Sequence, residues 1–177
     1  MSASDRNQEI TNKLIRDAIT EEFIKVFYEN IDALYQLSFL LTADHEKAEK
    51  CFVAGIEDCV KENRMFGEWA RSWAKRIILG NAIREVKPRP RLPASSPSPT
   101  ALSQGETPSD SDGHFVLETV LRLGDFERFV FVMSVLEKYS HLECALLLDC
   151  SVSEIRQGRL FALDELVSSR QVFSFAP

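Results

Sequence analysis

Residues 87–114, KPRPRLPASSPSPTALSQGETPSDSDGH, hold six of the chain's seven prolines and a dense set of serines. Proline removes a backbone donor and fixes φ, so this stretch cannot continue a helix. Its few apolar side chains cannot offset the entropy of ordering it, which predicts a mobile linker. A chain of 177 residues is thereby divided. The expected parts are a domain over 1–87, a Pro/Ser-rich linker over 88–114 and a second domain over 115–177.

Outside that stretch the balance is that of a globular protein, with 45% hydrophobic and 27% charged residues. No run approaches the length of apolar sequence a membrane span needs, and the opening MSASDRNQEITNK lacks the apolar core of a signal peptide. The cytoplasm is the expected compartment. Cys51, Cys59, Cys144 and Cys150 match neither CxxC nor a common zinc-ligand spacing, so they are expected to be reduced, mostly buried small hydrophobes.

Both flanks carry helical periodicity. Before the linker, apolar residues recur over Ile10 to Ile19 and Glu21 to Leu41. Thr42 or Asp44 is placed to cap a next helix with Ala48, Phe52, Ile56 and Cys59 on one face. A third helix over Phe66 to Val86 ends before Pro88. After the linker the pattern predicts helices over Phe115–Leu123 and Phe126–Tyr139, interrupted at Gly124 and Asp125. Ser140 and Glu143 form a capping-box pattern for a helix over His141–Leu148. The turn Asp149–Val152 follows, and Ser151 or Ser153 is placed to cap a last helix reaching about Ser168. Two helices joined by so short a turn are the helix-turn-helix arrangement, although an antiparallel pair in any bundle shares that spacing.

The net charge of −6 argues against a general nucleic-acid coat protein. Its distribution is uneven. Residues 1–91 hold 15 basic and 15 acidic side chains, whereas 115–177 hold 6 and 9. Within the first part, Arg71, Lys75, Arg76, Arg84, Lys87, Arg89 and Arg91 face one acid, Glu85, a local charge of +6 of the kind that phosphate binding requires.

The segments ALYQLSFLLTADHEKAEKCF and FGEWARSWAKRIILGNAIR, a proline-rich gap, and DFERFVFVMSVLEKYSHLECALLLDCSVSEIRQGRLFALDEL together resemble the extracytoplasmic-function sigma factors of bacterial RNA polymerase. The resemblance spans about two thirds of the chain. It implies an all-α fold of two small helical domains joined by a flexible linker. The first would be similar to sigma region 2, and the second to the helix-turn-helix, winged-helix-like region 4. It also implies core RNA polymerase and promoter DNA as partners, with an anti-sigma factor as a further one. The first domain would hold the polymerase clamp and open the minus-ten element. The second would place a recognition helix in the major groove of the minus-thirty-five element, and the linker would thread towards the active centre.

Residue types fit these roles to different degrees. In the helix over Phe66–Val86, Trp69, Trp73 and Ile77 fall on one arc and Arg71 and Lys75 on the other, so one helix packs and presents charge. Arg71, Lys75, Arg76 and Arg84 are candidate phosphate contacts; Asn81 either hydrogen-bonds a base edge or simply sits on the surface. In the last helix Ile155, Ala162, Leu163 and Leu166 make a packing face. Ser153, Glu154, Arg156 and Gln157 then lie near the end that enters the groove, Ser153, Arg156 and Gln157 being the candidate DNA contacts, with Arg159 as a further phosphate contact. Asp44, Glu46 and Glu49 are the candidate polymerase contacts.

Two departures stand against the family pattern. Further basic residues are usual along the recognition helix, where this chain has Gly158, Phe161, Asp164 and Glu165. A glutamine–glutamate pair typically contacts the clamp, where this chain has Val53 and Ala54. They motivate an alternative, a sigma-derived interaction protein that has lost promoter reading. An aromatic at Phe161 is expected to find cover, on the first domain or on a partner. An enzyme is disfavoured: His45, His114 and His141 are scattered, with no nucleophile, metal cluster or glycine-rich phosphate loop beside them. No cofactor or metal is expected.

Overall fold

The computed structural model describes residues 25, 28–62, 70–90 and 112–173. These form helices α1 (Ile31–Thr42), α2 (His45–Glu62), α3 (Ala70–Val86), α4 (Asp112–Arg122), α5 (Asp125–Phe131), a π-helical turn (Val132–Leu136), α6 (His141–Leu148) and α7 (Val152–Phe173). The described fold is all-helical, and no strand, hence no wing hairpin, occurs among the described residues. The chain divides into two compact units, Met1–Lys87 and Pro88–Pro177. The expected helix over Ile10–Ile19, Trp69, Arg91 and the linker residues 91–111 lie outside the described residues.

In the first unit α1, α2 and α3 pack on one another. Leu34, Leu37 and Leu41 of α1 are buried at helical spacing. The helix stops at Ala43, which takes φ 52° and donates its N–H to the Phe39 carbonyl at 2.8 Å. Asp44, one of the two residues placed to cap α2, does so: its carboxylate accepts the Lys47 N–H at 3.0 Å, and that bond, foremost, holds its pKa below the usual value. Thr42 is turned inward, its hydroxyl 3.0 Å from both the Ser38 and Asp44 carbonyls.

The buried face of α2 is Ala48, Cys51, Phe52 and Gly55, which keeps Ala48 and Phe52 of the expected face and turns Ile56 to its half-buried edge. The facing row of α3 is Ala74, Ile78, Asn81 and Ala82, while Trp73 and Ile77 sit half-buried at its edge. Small residues cause both rotations. A Cβ on Gly55 would lie 2.8 Å from Ile78 Cδ1, so α2 and α3 approach too closely to be separated by an indole. Ser38 stitches α1 to α2 by donating its hydroxyl to the Ala48 carbonyl at 2.8 Å.

The second unit is organised round α7, which packs against α4, α5 and α6. Every residue from Phe126 to Ser134 is buried, so α5 and the π-helical turn form a centre enclosed on all sides. The expected single helix over Phe126–Tyr139 is thus two pieces: the Glu137 N–H reaches the Val132 carbonyl, five residues back, at 2.9 Å. Lys138 at φ 62° ends it. Even the charged residues inside are enclosed, Glu127 and Arg128 each being 4% exposed. Arg128 donates to the Leu123 carbonyl at 2.8 Å and to Asp125.

Ser140 and Glu143 form the expected capping box at the start of α6. Asp149, at φ 51°, turns the chain out of α6, and the Cys150 N–H returns to the Ala145 carbonyl at 3.0 Å. Of the two serines placed to cap α7, Ser151 does it. Its hydroxyl accepts the Glu154 N–H at 3.2 Å, and the Glu154 carboxylate accepts the Ser151 N–H at 2.7 Å. The result is helix, three-residue turn, helix. Buried Cys144 has its thiol pushed up to about 11, chiefly by desolvation.

Candidate nucleic-acid interface

The cations of α3 fall into two groups. Arg71 and Arg76 are exposed and Lys75, one turn from Arg71, is half-buried. Arg84 lies two turns further on and is engaged: its Nη2 sits 3.1 Å from Asp58 Oδ2 on α2. Asn81 lies between them, donating to Asp58 at 3.3 Å and accepting from Arg84. At 8% exposure, with both ends of its amide in use, Asn81 is neither the surface residue nor the free base-reading group expected of it. The physical reason is tertiary: the close approach of α2 brings Asp58 over this turn of α3.

Glu85, the one acid in the basic run, is taken by Lys50 of α2 at 2.9 Å. Its carboxylate is therefore turned to another cation than Arg71, Lys75 or Arg76. Such a row at the surface attracts phosphate electrostatically, more strongly at low salt.

The acids expected to meet polymerase also divide. Asp44 is committed to the N-terminus of α2, whereas Glu46 and Glu49 are exposed on the helix. Val53 follows one turn on, 46% exposed.

In the second unit Ser153, Arg156 and Gln157 are exposed in the first turns of α7. They are the side chains there able to hydrogen-bond a groove edge. Arg159 is not beside them. It points back along the packed side, half-buried, with Nη1 3.2 Å from His141 Nε2 and its Nε buried without a partner. A guanidinium only donates, so His141 Nε2 is the acceptor in this contact. Arg159, expected as a further phosphate contact, is thus half-buried with its guanidinium directed at His141. Gly158 is also inside, where a Cβ would stand 2.9 Å from Phe126 Cε1. Phe161, for which cover was expected, is 54% exposed.

Sequence reasoning missed Asp58 and His141 as the partners that decide these cations. Asp58 is 26 residues from Arg84, and His141 is 18 from Arg159. No local pattern signals such pairs. His45 is packed too, its ring stacked on Phe39 at 4.3 Å between centroids and its Nδ1 3.1 Å from the Tyr35 hydroxyl. Among the described residues no group of three metal-capable side chains converges, and no helix is long and apolar enough to cross a membrane.

No protein-family model and no curated protein matches the chain. Among solved structures it is similar to the sigma factor RpoE of Bartonella quintana, determined in complex with the anti-sigma factor NepR. The identity is 16%, with 86% of this chain and 98% of that chain covered, at a TM-score of 0.49.

Proposed function

We propose that the chain is a sigma-like transcription initiation factor that acts in the cytoplasm, binds core RNA polymerase and directs it to promoter DNA. The observation that carries this reading is the clustering of Arg71, Lys75 and Arg76 in the first half of α3, with Arg71 and Arg76 exposed and the one acid of the basic run, Glu85, paired with Lys50. In this reading the cluster binds promoter phosphates next to the minus-ten element. Arg156 and Gln157, with Ser153, meet base edges from the first turns of α7, and Glu46 and Glu49 meet the polymerase clamp. The sequence resemblance across both units, in the order of the family, supports the same assignment and adds an anti-sigma factor as a partner.

The test is reconstituted transcription with purified core polymerase and genomic promoter fragments. Wild-type protein is expected to give promoter-dependent transcripts. Arg71→Glu with Arg76→Glu is expected to reduce them at least tenfold while retaining helicity and polymerase binding. Absence of any stimulation by the wild-type chain overturns the proposal.

A second reading has its own observation. Beyond Gln157 the outer side of α7 offers Leu160, Phe161, Asp164 and Glu165 in place of cations. On that reading the chain regulates by protein contact alone, and the double charge reversal leaves its function in cells intact.

A further inference from the structure

At about 100° per residue, Ser153, Gln157, Leu160, Phe161, Asp164, Val167 and Ser168 share one side of α7. All of them are exposed, whereas Ile155, Gly158 and Ala162 on the opposite side are buried. This outer side changes character along its length. Its first two turns are polar; the next two carry Leu160, Phe161 and Val167 at 68%, 54% and 58% exposure, with Asp164 and Glu165 among them.

Three large apolar side chains stand exposed within eight residues of one helix face, with Asp164 between Leu160 and Val167, a combination that suits a contact surface. The two carboxylates decide which kind. Facing DNA they stand against phosphates of the same sign, and the leucine and phenylalanine gain little beside a charged backbone. Facing a protein, Leu160, Phe161 and Val167 are anchors at the spacing by which a helix seats in an apolar groove. Asp164 then lies within the face, between Leu160 and Val167, and Glu165 at its edge, where complementary charge selects the partner. We infer that the Leu160–Val167 face of α7 docks into a protein groove that pairs apolar side chains with lysine or arginine placed to meet Asp164 and Glu165. This goes beyond promoter reading and uses none of the residues assigned to it.

The experiment places a photo-cross-linking amino acid at Leu160 in the full-length chain and irradiates its native cells. The expected product is a covalent adduct with one protein, mapped to a peptide in which apolar residues alternate with lysine or arginine. Asp164→Lys with Glu165→Lys is expected to reduce the adduct at least fivefold, and Asp164→Glu to preserve it. Helicity of each variant is checked by circular dichroism. An adduct with DNA, with a second copy of the chain or with a peptide lacking cations overturns the inference, as does an adduct unaffected by charge reversal or no adduct. Duplex promoter DNA gives an independent arm. Leu160→Ala with Phe161→Ala is expected to leave its affinity within twofold, and a tenfold loss assigns this face to DNA instead. Since that arm varies none of the promoter-reading residues, failure of the transcription assay and failure of docking are told apart.

Discussion

The two units solve helix packing in different ways, and their surfaces differ for the same reason. The first brings helices together through small residues, Ala48 and Gly55 against Ala74 and Ala82, and ties them at the edge with exposed ion pairs. Its aromatic and long cationic side chains stay at the margin, with Arg71 and Arg76 of α3 exposed and Lys75 half-buried. The second wraps α4, α6 and α7 about an enclosed aromatic segment from Phe126 to Ser134, and draws two charged residues inside with it. Arg128 and Arg159 are engaged internally, and beyond Gln157 the outer side of its last helix is apolar and acidic. Electrostatics for phosphate thus belongs to the loosely tied unit, and the surface suited to protein belongs to the tightly filled one.

The sharpest way to break this comparison is to empty the enclosed core. Phe129, fully buried, is expected to cost about 3–5 kcal/mol on Phe129→Ala. Both tryptophans, Trp69 and Trp73, belong to the first unit, so their fluorescence reports that unit while circular dichroism reports both. The variant is expected to lower the dichroism transition and leave the fluorescence transition in place; a joint shift denies separate stability to the units.

A pair of glycines sharpens the contrast next. Gly158→Ala drives a methyl against the enclosed ring of Phe126, an overpacking of about 1–3 kcal/mol that exceeds the gain in helix propensity. Gly55→Ala meets only the terminal methyl of Ile78, which can turn away, and the ~1 kcal/mol of propensity offsets the shift. Denaturant midpoints are expected to fall for the first and to stay near wild type for the second.

Ser151→Ala removes the cap of α7 and is expected to cost about 1 kcal/mol in a urea titration at neutral pH. It also changes the acid limb. Hydrogen bonds from the Ser151 hydroxyl and N–H hold the Glu154 carboxyl below its ordinary pKa. A depressed carboxylate contributes stability that is complete above the unfolded pKa and is lost as pH falls through the folded one. Wild type is therefore expected to lose more stability than Ser151→Ala on acidification below about pH 4, where unfolded glutamate titrates.

The smallest effect is expected at the first unit's edge. Arg84 is 69% exposed, and Arg84→Ala, which leaves Asn81 its bond to Asp58, is expected to cost below about 1 kcal/mol in thermal denaturation because solvent screens the ion pair. A loss of several kcal/mol would show that the ion pairs, and not the small-residue contact, hold α2 to α3.

The amino-acid sequence by itself determined the helical class, the capping box at Ser140 and the end of α3 before Pro88, because caps, prolines and periodicity act within a few residues. It also located the basic run on α3 and the polar start of α7. In α1 and α7 the inward side followed the apolar spacing, with Leu34, Leu37, Leu41, Ile155 and Ala162 buried, whereas in α2 and α3 tertiary packing shifted it. The inward side depends on how closely a neighbour approaches, and Gly55 and Gly158 permit contacts that hydrophobicity does not announce. The same approach brought Asp58 to Asn81 and Arg84, and His141 to Arg159, across 18 to 26 residues of chain. Charge could be counted along the sequence; which charges remain at the surface was settled by the partners that folding supplied.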